Sequence, residues 1–459
     1  MKFWRWFYPG MGIKRWLFLV LLGLIIFSHG LLLLGNLRLE NYTSSLDAYT
    51  YAIYSYTNHV FAWAVMNKIS IPFLYTLMIA GGLFIASFGI WGWMHSIVKA
   101  VTPGSSFSLV DMVYQKRSLN RGLKIVAIGG GTGLSTLLRG LKEYTNNIVA
   151  VVTVADDGGS SGRLRKELGV IPPGDIRNCI VALADSELLE ELLQYRFEEG
   201  QGLEGHSFGN LFLVAMTGIS GDFVKAVKAL SGVLAIRGKV LPSSAQALTL
   251  CAELEDGTLI EGESTISQKG RFIKRLFCKP HKPAPLLEVL QAIKEADAVI
   301  LGPGSLYTSI MPNLLVNKMT EAIRNSQAVK IFVCNCMTQP GETEQFKTAS
   351  SHITALERQF GPGLIQYALV NTASPGPRLL AKYRQAGSEF VVADLKEVEA
   401  LGVTPVALPL LSESEVVRHD FKRLGEAVMK VMMQGFSSNI RPSGYSPAVD
   451  REILTDPPA

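Results

Sequence analysis

Two glycine-rich segments that follow predicted strands carry residue types that bind phosphate. The first, Gly129–Gly133, ends the apolar run KIVAI and opens a helix. Glycine lets a backbone approach a ligand closely, and a helix N-terminus offers unpaired N–H groups to an anion. The segment is neither GxGxxG, because Leu134 stands in the place of the third glycine, nor a P-loop. The alternative is a tight strand-to-helix turn without a ligand. The candidate ligand contacts are Gly129, Gly130, Gly131, Thr132 and Gly133.

The second segment, Asp156–Arg163, combines two carboxylates with glycines, hydroxyls and an arginine. Asp156 and Asp157 could hold Mg²⁺ through oxygen, and Arg163 could clamp a phosphate. These two acids are therefore the candidate catalytic and metal-binding residues, although Asp157 could instead cap a turn. The other candidate contacts of this segment are Gly158, Ser160, Ser161 and Arg163.

Further polar clusters add candidate contacts at the ends of other predicted elements. Asp175 is either a helix N-cap or a ligand contact. His206 and Asn210 are four residues apart, which places them on one face if the segment is helical. The segment Gly302–Thr308 follows the strand AVIL, Asn313 could reach a base or sugar, and Asn335–Thr343 follows the strand IFV. The resulting candidates are Asp175, Arg177, Asn178, His206, Asn210, Gly302, Gly304, Ser305, Tyr307, Thr308 and Asn313.

Apolar runs alternate with amphipathic helical patterns from Leu123 onward. Later predicted strands are Ala298–Leu301, Lys330–Cys334, Tyr367–Val370 and Glu389–Ala393. Predicted helices lie between or after them at Leu286–Ala296, Thr320–Asn325, Ser350–Gln359 and Asp420–Met433. This alternation predicts a Rossmann-like, doubly wound, mostly parallel α/β sheet, with ligands beyond the carboxyl ends of its strands. The Asp256-Gly257 turn predicts an inserted β-hairpin within Ala252–Glu263.

Two apolar stretches precede this region. Trp16–Gly35 and Ile71–Met94 are each long enough for a transmembrane helix, and basic residues flank both outer ends. We therefore expect a cytoplasmic N-terminus over 1–15, spans over 16–35 and 71–94, an extracytoplasmic loop over 36–70 and a linker over 95–122. The α/β domain then covers 123–435, and 436–459 is a loosely ordered tail. This organisation predicts a multi-pass protein of the inner cell membrane whose C-terminal domain lies in the cytoplasm.

The amino-acid composition excludes some classes of binding partner. The net charge of +5 over 459 residues is too small and diffuse for a nucleic-acid footprint, so we expect no nucleic acid. The five cysteines show no metal-binding spacing, which indicates reduced thiols. The sequence is compatible with a monomer or a homodimer.

Six segments together resemble the YvcK/CofD-like family, and more closely its YvcK branch, the gluconeogenesis factors. They are GGGTGLSTLLRGLK, VTVADDGGSSGRLRKELGVIPPGDIRNCIVALAD, GHSFGNLFL, LGPGSLYTSIMPNLLV, CNCMTQPGET and VVRHDFKRL. The likeness covers about Leu123 to Met433, and the two apolar N-terminal stretches depart from the shorter soluble members.

The resemblance implies a Rossmann-like fold that binds a UDP-sugar such as UDP-N-acetylglucosamine. It also implies a bacterial regulator of cell shape and envelope synthesis during gluconeogenic growth, with envelope-synthesis enzymes as partners. The CofD branch instead transfers a phospholactyl group with Mg²⁺, as a 2-phospho-L-lactate transferase. Asp156 and Asp157 stand at the place of its acidic pair, which leaves open whether this chain is an enzyme.

Overall fold

The computed structural model describes residues 14–36, 71–101, 118–269, 272–412 and 416–438. Its contacts divide the chain into two units, Met1–Tyr114 and Gln115–Ala459. The predicted extracytoplasmic loop, except its first residue, and most of the predicted linker and tail lie outside the described residues.

The first unit contains two apolar helices, α1 (Lys14–Asn36) and α2 (Ile71–Val101). Phe73–Ser96 of α2 is long and apolar enough to cross a membrane. The apolar stretch Arg15–Leu31 of α1 is shorter than such a span. The described residues thus contain one such helix, so the prediction of two spans is not confirmed. Helices Phe208–Ser220 and Phe223–Val233 are strongly bent against each other, and they are long and apolar enough to cross a membrane only if both together form one span.

Glycines form the contact between α1 and α2. A Cβ added at Gly82 would lie 2.5 Å from the backbone nitrogen of Phe27, and one added at Gly23 would overlap the backbone of Ala86. Large apolar side chains such as Phe84 and Trp91 are exposed instead. This arrangement, with small residues inside and large apolar residues outside, is typical of helices that pack within a bilayer.

The second unit is built on a seven-stranded sheet in which every described pairing is parallel. Its strands are β1 (Ile125–Gly129), β2 (Ile148–Val152), β3 (Lys239–Pro242), β7 (Ala298–Leu301), β8 (Val329–Val333), β9 (Tyr367–Asn371) and β10 (Thr404–Leu408). Their order is β10-β9-β8-β7-β1-β2-β3. The strand order reverses between β1 and β7, where Ile125 pairs with both Ile148 and Ala298. The predicted mostly parallel α/β sheet is confirmed, and its topological switch point lies between β1 and β7.

Helices cover both faces of this sheet. Alternate residues of β1 belong to different cores, since Val126 and Ile128 pack on one face and Ile125 and Ala127 on the other. The helices are α3 (Gly131–Leu141), α4 (Gly159–Leu168), α5 (Gly174–Leu183), α6 (Glu187–Gln194), α7 (Phe208–Ser220), α8 (Phe223–Val233), α9 (Glu263–Lys269), α10 (Leu287–Glu295), α11 (Met311–Leu314), α12 (Met319–Asn325), α13 (Ala349–Phe360), α14 (Pro377–Gln385), α15 (Leu395–Ala400) and α16 (Phe421–Ser438).

A small antiparallel sheet is inserted between β3 and β7. It contains β4 (Thr249–Leu254), β5 (Leu259–Glu261) and β6 (Ile273–Lys279) in the order β5-β4-β6. The predicted hairpin is confirmed: β4 and β5 flank the turn at Gly257, whose φ is +83°. The third strand, β6, adds to the predicted hairpin.

The structure corrects the prediction in two places. The predicted strand Glu389–Ala393 forms only isolated bridges, at Phe390 and Val392, because its neighbours there are loops and a helix N-terminus rather than a strand. The predicted tail also begins too early, because α16 continues to Ser438.

Helices α3 and α16 cross at a backbone contact that only glycine permits. A Cβ added at Gly140 would overlap the carbonyl group of Phe421, and Gly425 lies against the backbone of Gly140. We expect Gly140→Ala to destabilise the second unit by about 2 kcal/mol, because the crossing helices must separate. Chemical denaturation measures this loss. The matched control is Gly218→Ala in α7, where an added Cβ meets nothing within 4 Å and helix propensity favours alanine. Equal stability of the two variants would contradict the role of the crossing.

Candidate functional site

A polar cavity of about 550 Å³ opens at the carboxyl ends of β1, β7 and β8. The loops after these strands supply most of its walls, as the switch-point rule for doubly wound sheets leads one to expect. Of the candidate residues from the sequence, the cavity is lined by Gly130, Gly131, Thr132, Gly133, Asp156, Asp175, Asn178, Gly304, Ser305 and Thr308.

The first turn of α3 forms one wall. Its N-cap is Gly130, which offers no side chain to the orphan N–H groups of the helix. Gly131 has φ +63°, a left-handed conformation that favours glycine. A Cβ added at Gly133 would lie 2.6 Å from the carbonyl oxygen of Pro303, so glycine also brings this turn against the loop after β7. The arrangement leaves a helix N-terminus facing the cavity, which suits an anion.

The loops after β7 and β8 are tied together across the cavity. Asn335 accepts a hydrogen bond from the backbone N–H of Gly304 at 3.2 Å and donates one to its carbonyl oxygen at 2.7 Å. Gln339 donates to the hydroxyl of Ser305 at 2.6 Å. Amide and hydroxyl groups therefore stand ready to contact a polar ligand on this side.

Three carboxylates line the cavity, but they are not the pair that the sequence suggested. Asp156 lines it together with Asp175 and Glu263, whereas Asp157 accepts hydrogen bonds from the backbone and hydroxyl of Ser264. Asp157 therefore caps the N-terminus of α9, in keeping with the turn-capping alternative. The acidic groups at the cavity come from three different elements.

Burial and mutual repulsion disfavour ionisation of these acids. Burial, followed by the charge of Asp156, raises the pKa of Asp175 to about 7, although the Gly131 N–H opposes this shift. Burial, followed by the charges of Asp156 and Asp175, raises the pKa of Glu263 to about 8. The pKa of Asp156 is also raised, mainly by burial. The cavity thus holds acids that are partly protonated near neutral pH.

Several candidate residues form a buried network beside the cavity instead of lining it. Ser160 bonds to His206 Nδ1 at 2.9 Å and accepts a hydrogen bond from Asn210 at 3.0 Å. Arg177 donates to Asn210 at 3.1 Å and also to Ser207. His206 precedes α7, so it does not share a helical face with Asn210; the two residues meet at Ser160. This network fixes the loop after β2 against the start of α7.

The remaining candidates have backbone or packing roles. Asn313 donates to the carbonyl of Gly129 at 2.9 Å, and Tyr307 is buried near Phe346. Arg163 donates to the carbonyl of Glu204 at 2.8 Å. Three further candidates lie behind or beside the lining residues: Gly158, Ser161 and Gly302.

Sequence reasoning missed the residues that close the far side of the cavity. Arg418 is the cationic side chain among the lining residues that the structure describes, and Tyr383 lies nearby on α14. Tyr383 accepts a hydrogen bond from the backbone N–H of Val417 at 3.1 Å. His419 bonds to Cys336 at 3.2 Å. Neither segment stands directly after a glycine-rich strand end; Arg418 and His419 lie in VVRHDFKRL, which contributed to the family resemblance but was assigned no site role. The segments Gly302–Thr308 and Asn335–Thr343, which the sequence had singled out, also supply Pro303 and residues 335–340 to the lining. The other lining residues that the sequence did not indicate are Thr136, Thr153, Glu263, Ser309, Ser388 and Val417.

The donor set fits a hard cation that is also held by a ligand. Among the described residues, no group of three or more His, Cys, Asp or Glu side chains is placed to hold a metal ion. Mg²⁺, however, commonly uses one or two carboxylates together with substrate phosphates. Asp156 and Asp175 are the oxygen donors that such a shared site would use.

These features define a doubly wound α/β protein with a ligand-sized polar cavity at its switch point. A family model described as 2-phospho-L-lactate transferase CofD matches residues 125–411, more than half of the chain. The chain therefore belongs to the CofD family.

Relatives and solved structures agree with this assignment. A relative from Nostoc sp. is 47% identical over 438 residues, which are 94% of this chain and 92% of its own length. A Bacillus subtilis protein described as a gluconeogenesis factor is 48% identical and is matched over 68% of this chain and 98% of its own length. A crystal structure of a UPF0052 family member from Bacillus halodurans has a TM-score of 0.64 and 49% identity, over 66% of this chain and 98% of that one. Nearly all of that crystallised chain is matched by two thirds of this one, so a folded relative exists that is shorter than this chain.

The pKa of Glu263 gives a testable pH dependence of stability. Because its pKa rises from 4.5 to about 8 on folding, the folded state keeps a proton that the unfolded state loses between these values. The contribution of Glu263 to stability is therefore greatest below about pH 4.5, falls as pH rises to about 8, and is constant above that. We expect Glu263→Gln to unfold at a higher temperature than the wild type at pH 8.5, with the difference vanishing near pH 5. If the unfolding temperatures of the wild type and Glu263→Gln differ by the same amount at every pH in this range, the raised pKa of Glu263 is contradicted.

Proposed function

We propose that the second unit binds a nucleotide-sugar, and specifically UDP-N-acetylglucosamine, in the cavity between α3 and Arg418. The observation that carries the proposal is that one polar cavity is lined both by an arginine and by a helix N-terminus whose N-cap residue, Gly130, has no side chain. Both groups attract the charge of a diphosphate, and arginine matches phosphate oxygens geometrically. The cavity volume of about 550 Å³ is within the range of small-molecule sites.

The neutral polar groups suit the uridine and sugar parts of such a ligand. Asn335, Thr338 and Gln339 line the cavity on the side of β8. Amides and hydroxyls both donate and accept hydrogen bonds, as recognition of a base and a sugar requires. Gln339 Oε1 is buried with no partner within the described residues, so a ligand donor would satisfy it.

The biological role that we propose is regulation rather than bulk metabolism. The Bacillus subtilis relative is named a gluconeogenesis factor. A protein that senses a UDP-sugar would link carbon supply to envelope synthesis and cell shape, with envelope-synthesis enzymes as its partners. In this role the ligand is bound and released unchanged.

We further propose that the first unit anchors the chain in the inner membrane, with the second unit in the cytoplasm. The support is the glycine contact between α1 and α2 and the exposure of their large apolar side chains. Exposed apolar surface of this kind is costly in water and favourable in a bilayer. The anchor would hold the sensor where envelope precursors are assembled.

A transferase of the CofD type is the second candidate. The family model and the carboxylates of Asp156 and Asp175 favour it. A bound Mg²⁺ would supply charge stabilisation at the transferring phosphorus. In that function the first turn of α3 and Arg418 would orient the donor, and Asp156 and Asp175 would hold the cation.

Arg418 provides the direct test of ligand binding. We expect the fragment Gln115–Ala459 to bind UDP-N-acetylglucosamine in isothermal titration, and Arg418→Ala to weaken this binding by about tenfold or more through loss of a charge-assisted contact. The matched control is Lys422→Ala, which removes an exposed cation four residues away on α16.

The results of these experiments distinguish the two candidate functions. Absence of binding by the wild-type fragment, or equal binding by Arg418→Ala, would contradict the nucleotide-sugar proposal. Mass spectrometry of the same mixtures with Mg²⁺ and a hydroxyl acceptor distinguishes the sensor from the transferase. Consumption of the nucleotide donor with a matching product, abolished by Asp156→Asn, would establish the transferase.

The anchor is tested by fractionation. We expect the full chain to stay with membranes after alkaline carbonate extraction, because transmembrane helices are not released by charge. The fragment Gln115–Ala459 should be found in the soluble fraction and serves as the control. Release of the full chain by carbonate would contradict a membrane-spanning first unit.

A further inference from the structure

Helix α6 and the loop after it expose a set of large apolar side chains. Leu188 is 74% exposed, Tyr195 54%, Leu192 45% and Leu203 42%. We call these four residues the Leu188 face. All four come from one stretch of 16 residues, and Leu188 and Leu192 are four apart on one side of α6. These four exposed residues are therefore close together along the chain, on α6 and the loop that follows it.

The fold does not require these side chains. On the opposite side of α6, Leu193 is buried and Leu189 packs against the core, so the helix is already attached by its inner leucines. Each fully buried leucine gains about 1.5–3 kcal/mol over an exposed one. In the isolated unit Leu188 forgoes most of this gain and Leu192 nearly half of it, and a molecule that covered both leucines would recover it.

The face is folded before any partner arrives. In the loop, the N–H of Phe197 donates to the carbonyl of His206 at 2.9 Å, and the N–H of Gly205 donates to the carbonyl of Phe197 at 2.8 Å. The rings of Tyr195 and Phe197 meet edge to face, 5.3 Å apart. A preformed surface loses little conformational entropy on binding.

The charges around the Leu188 face indicate which class of partner it can bind. Residues 185–205 contain seven acids and one arginine, in a chain whose net charge is +5. Within the described part of the chain, the acidic residues at the rim make no ion pair, and all are exposed: Glu187, Glu191, Glu198, Glu199 and Glu204. An acidic rim repels an anionic lipid surface, and it repels the same face of a second copy.

We propose that the Leu188 face docks a basic amphipathic segment of a partner protein. The leucines and Tyr195 receive apolar side chains of that segment, while the glutamates of the rim pair with its lysines and arginines. This is the binding mode in which an amphipathic helix lays its apolar side on a hydrophobic surface and complementary charges fix its register. The residues of this site do not line the cavity.

The test uses the fragment Gln115–Ala459 and a synthetic helical peptide of leucine and lysine as the probe, followed by fluorescence anisotropy. The double variant Leu188→Ser/Leu192→Ser removes the apolar contact, and Glu187→Lys/Glu191→Lys reverses the charge. We expect each to weaken probe binding by about tenfold or more. The matched control is Leu287→Ser, which removes an 81% exposed leucine beside Glu288 on α10 and should leave binding unchanged.

All substituted positions are exposed, and thermal unfolding verifies that each variant is folded. A second probe with glutamate in place of lysine should not bind. Binding of the lysine probe that is equal in the double variant and in the Leu287→Ser control would overturn the proposal. So would sedimentation showing that Leu188→Ser/Leu192→Ser dissociates a dimer, or vesicle binding lost in that variant, since the occupant would then be a second copy or a membrane.

Discussion

Helix α3 is held between two backbone contacts, and the geometry of the cavity depends on both. At its first turn, Gly133 lies against the carbonyl of Pro303 in the loop after β7; one residue before its last, Gly140 lies against the backbone of α16. The first contact closes the switch point of the sheet around the helix N-terminus. The second fixes α16, and Arg418 and His419 come directly before that helix, whose first turn Asp420 caps. One helix thus contacts both the loop after β7 and the helix that follows Arg418, and its first turn and Arg418 line the same cavity.

The acids of the cavity repel an anionic ligand, and this repulsion opposes its binding. Asp156, Asp175 and Glu263 face a space whose one described cationic side chain is Arg418. A diphosphate entering this space meets carboxylates whose pKa values are raised, first by burial and, for Asp175 and Glu263, also by the charge of neighbouring carboxylates. Protons or a divalent cation would reduce that repulsion. The same carboxylates therefore suit a sensor whose affinity depends on pH and a transferase that shares Mg²⁺ with its donor.

The sequence predicted the features that depend on residues close together along the chain. The parallel sheet and the glycine turns at its strand ends follow from apolar runs and turn residues, and Gly130–Gly133, Asp156 and Gly304 all line the cavity. Arg418 and Tyr383 could not be found in this way. They lie on segments more than 200 residues after α3 and reach the cavity only through packing of α16 and α14. Asp157 and His206 show the opposite error, because a single sequence does not distinguish a ligand contact from a cap or a buried hydrogen bond.

The network around Ser160 joins the cavity to the Leu188 face through one loop. Asp156 lines the cavity at the start of this loop, and Ser160 and Arg163 at its other end bond to His206 and to the carbonyl of Glu204. Glu204 belongs to the acidic rim, and His206 pairs with Phe197 in the loop beneath Tyr195. A displacement of the first turn of α4 must therefore either break the buried Ser160–His206 bond and the exposed bond from Arg163 to Glu204, or carry residues 204–206 with it. Breaking the buried bond leaves an unsatisfied polar group at a cost of about 1–3 kcal/mol, which opposes separation of α4 from His206.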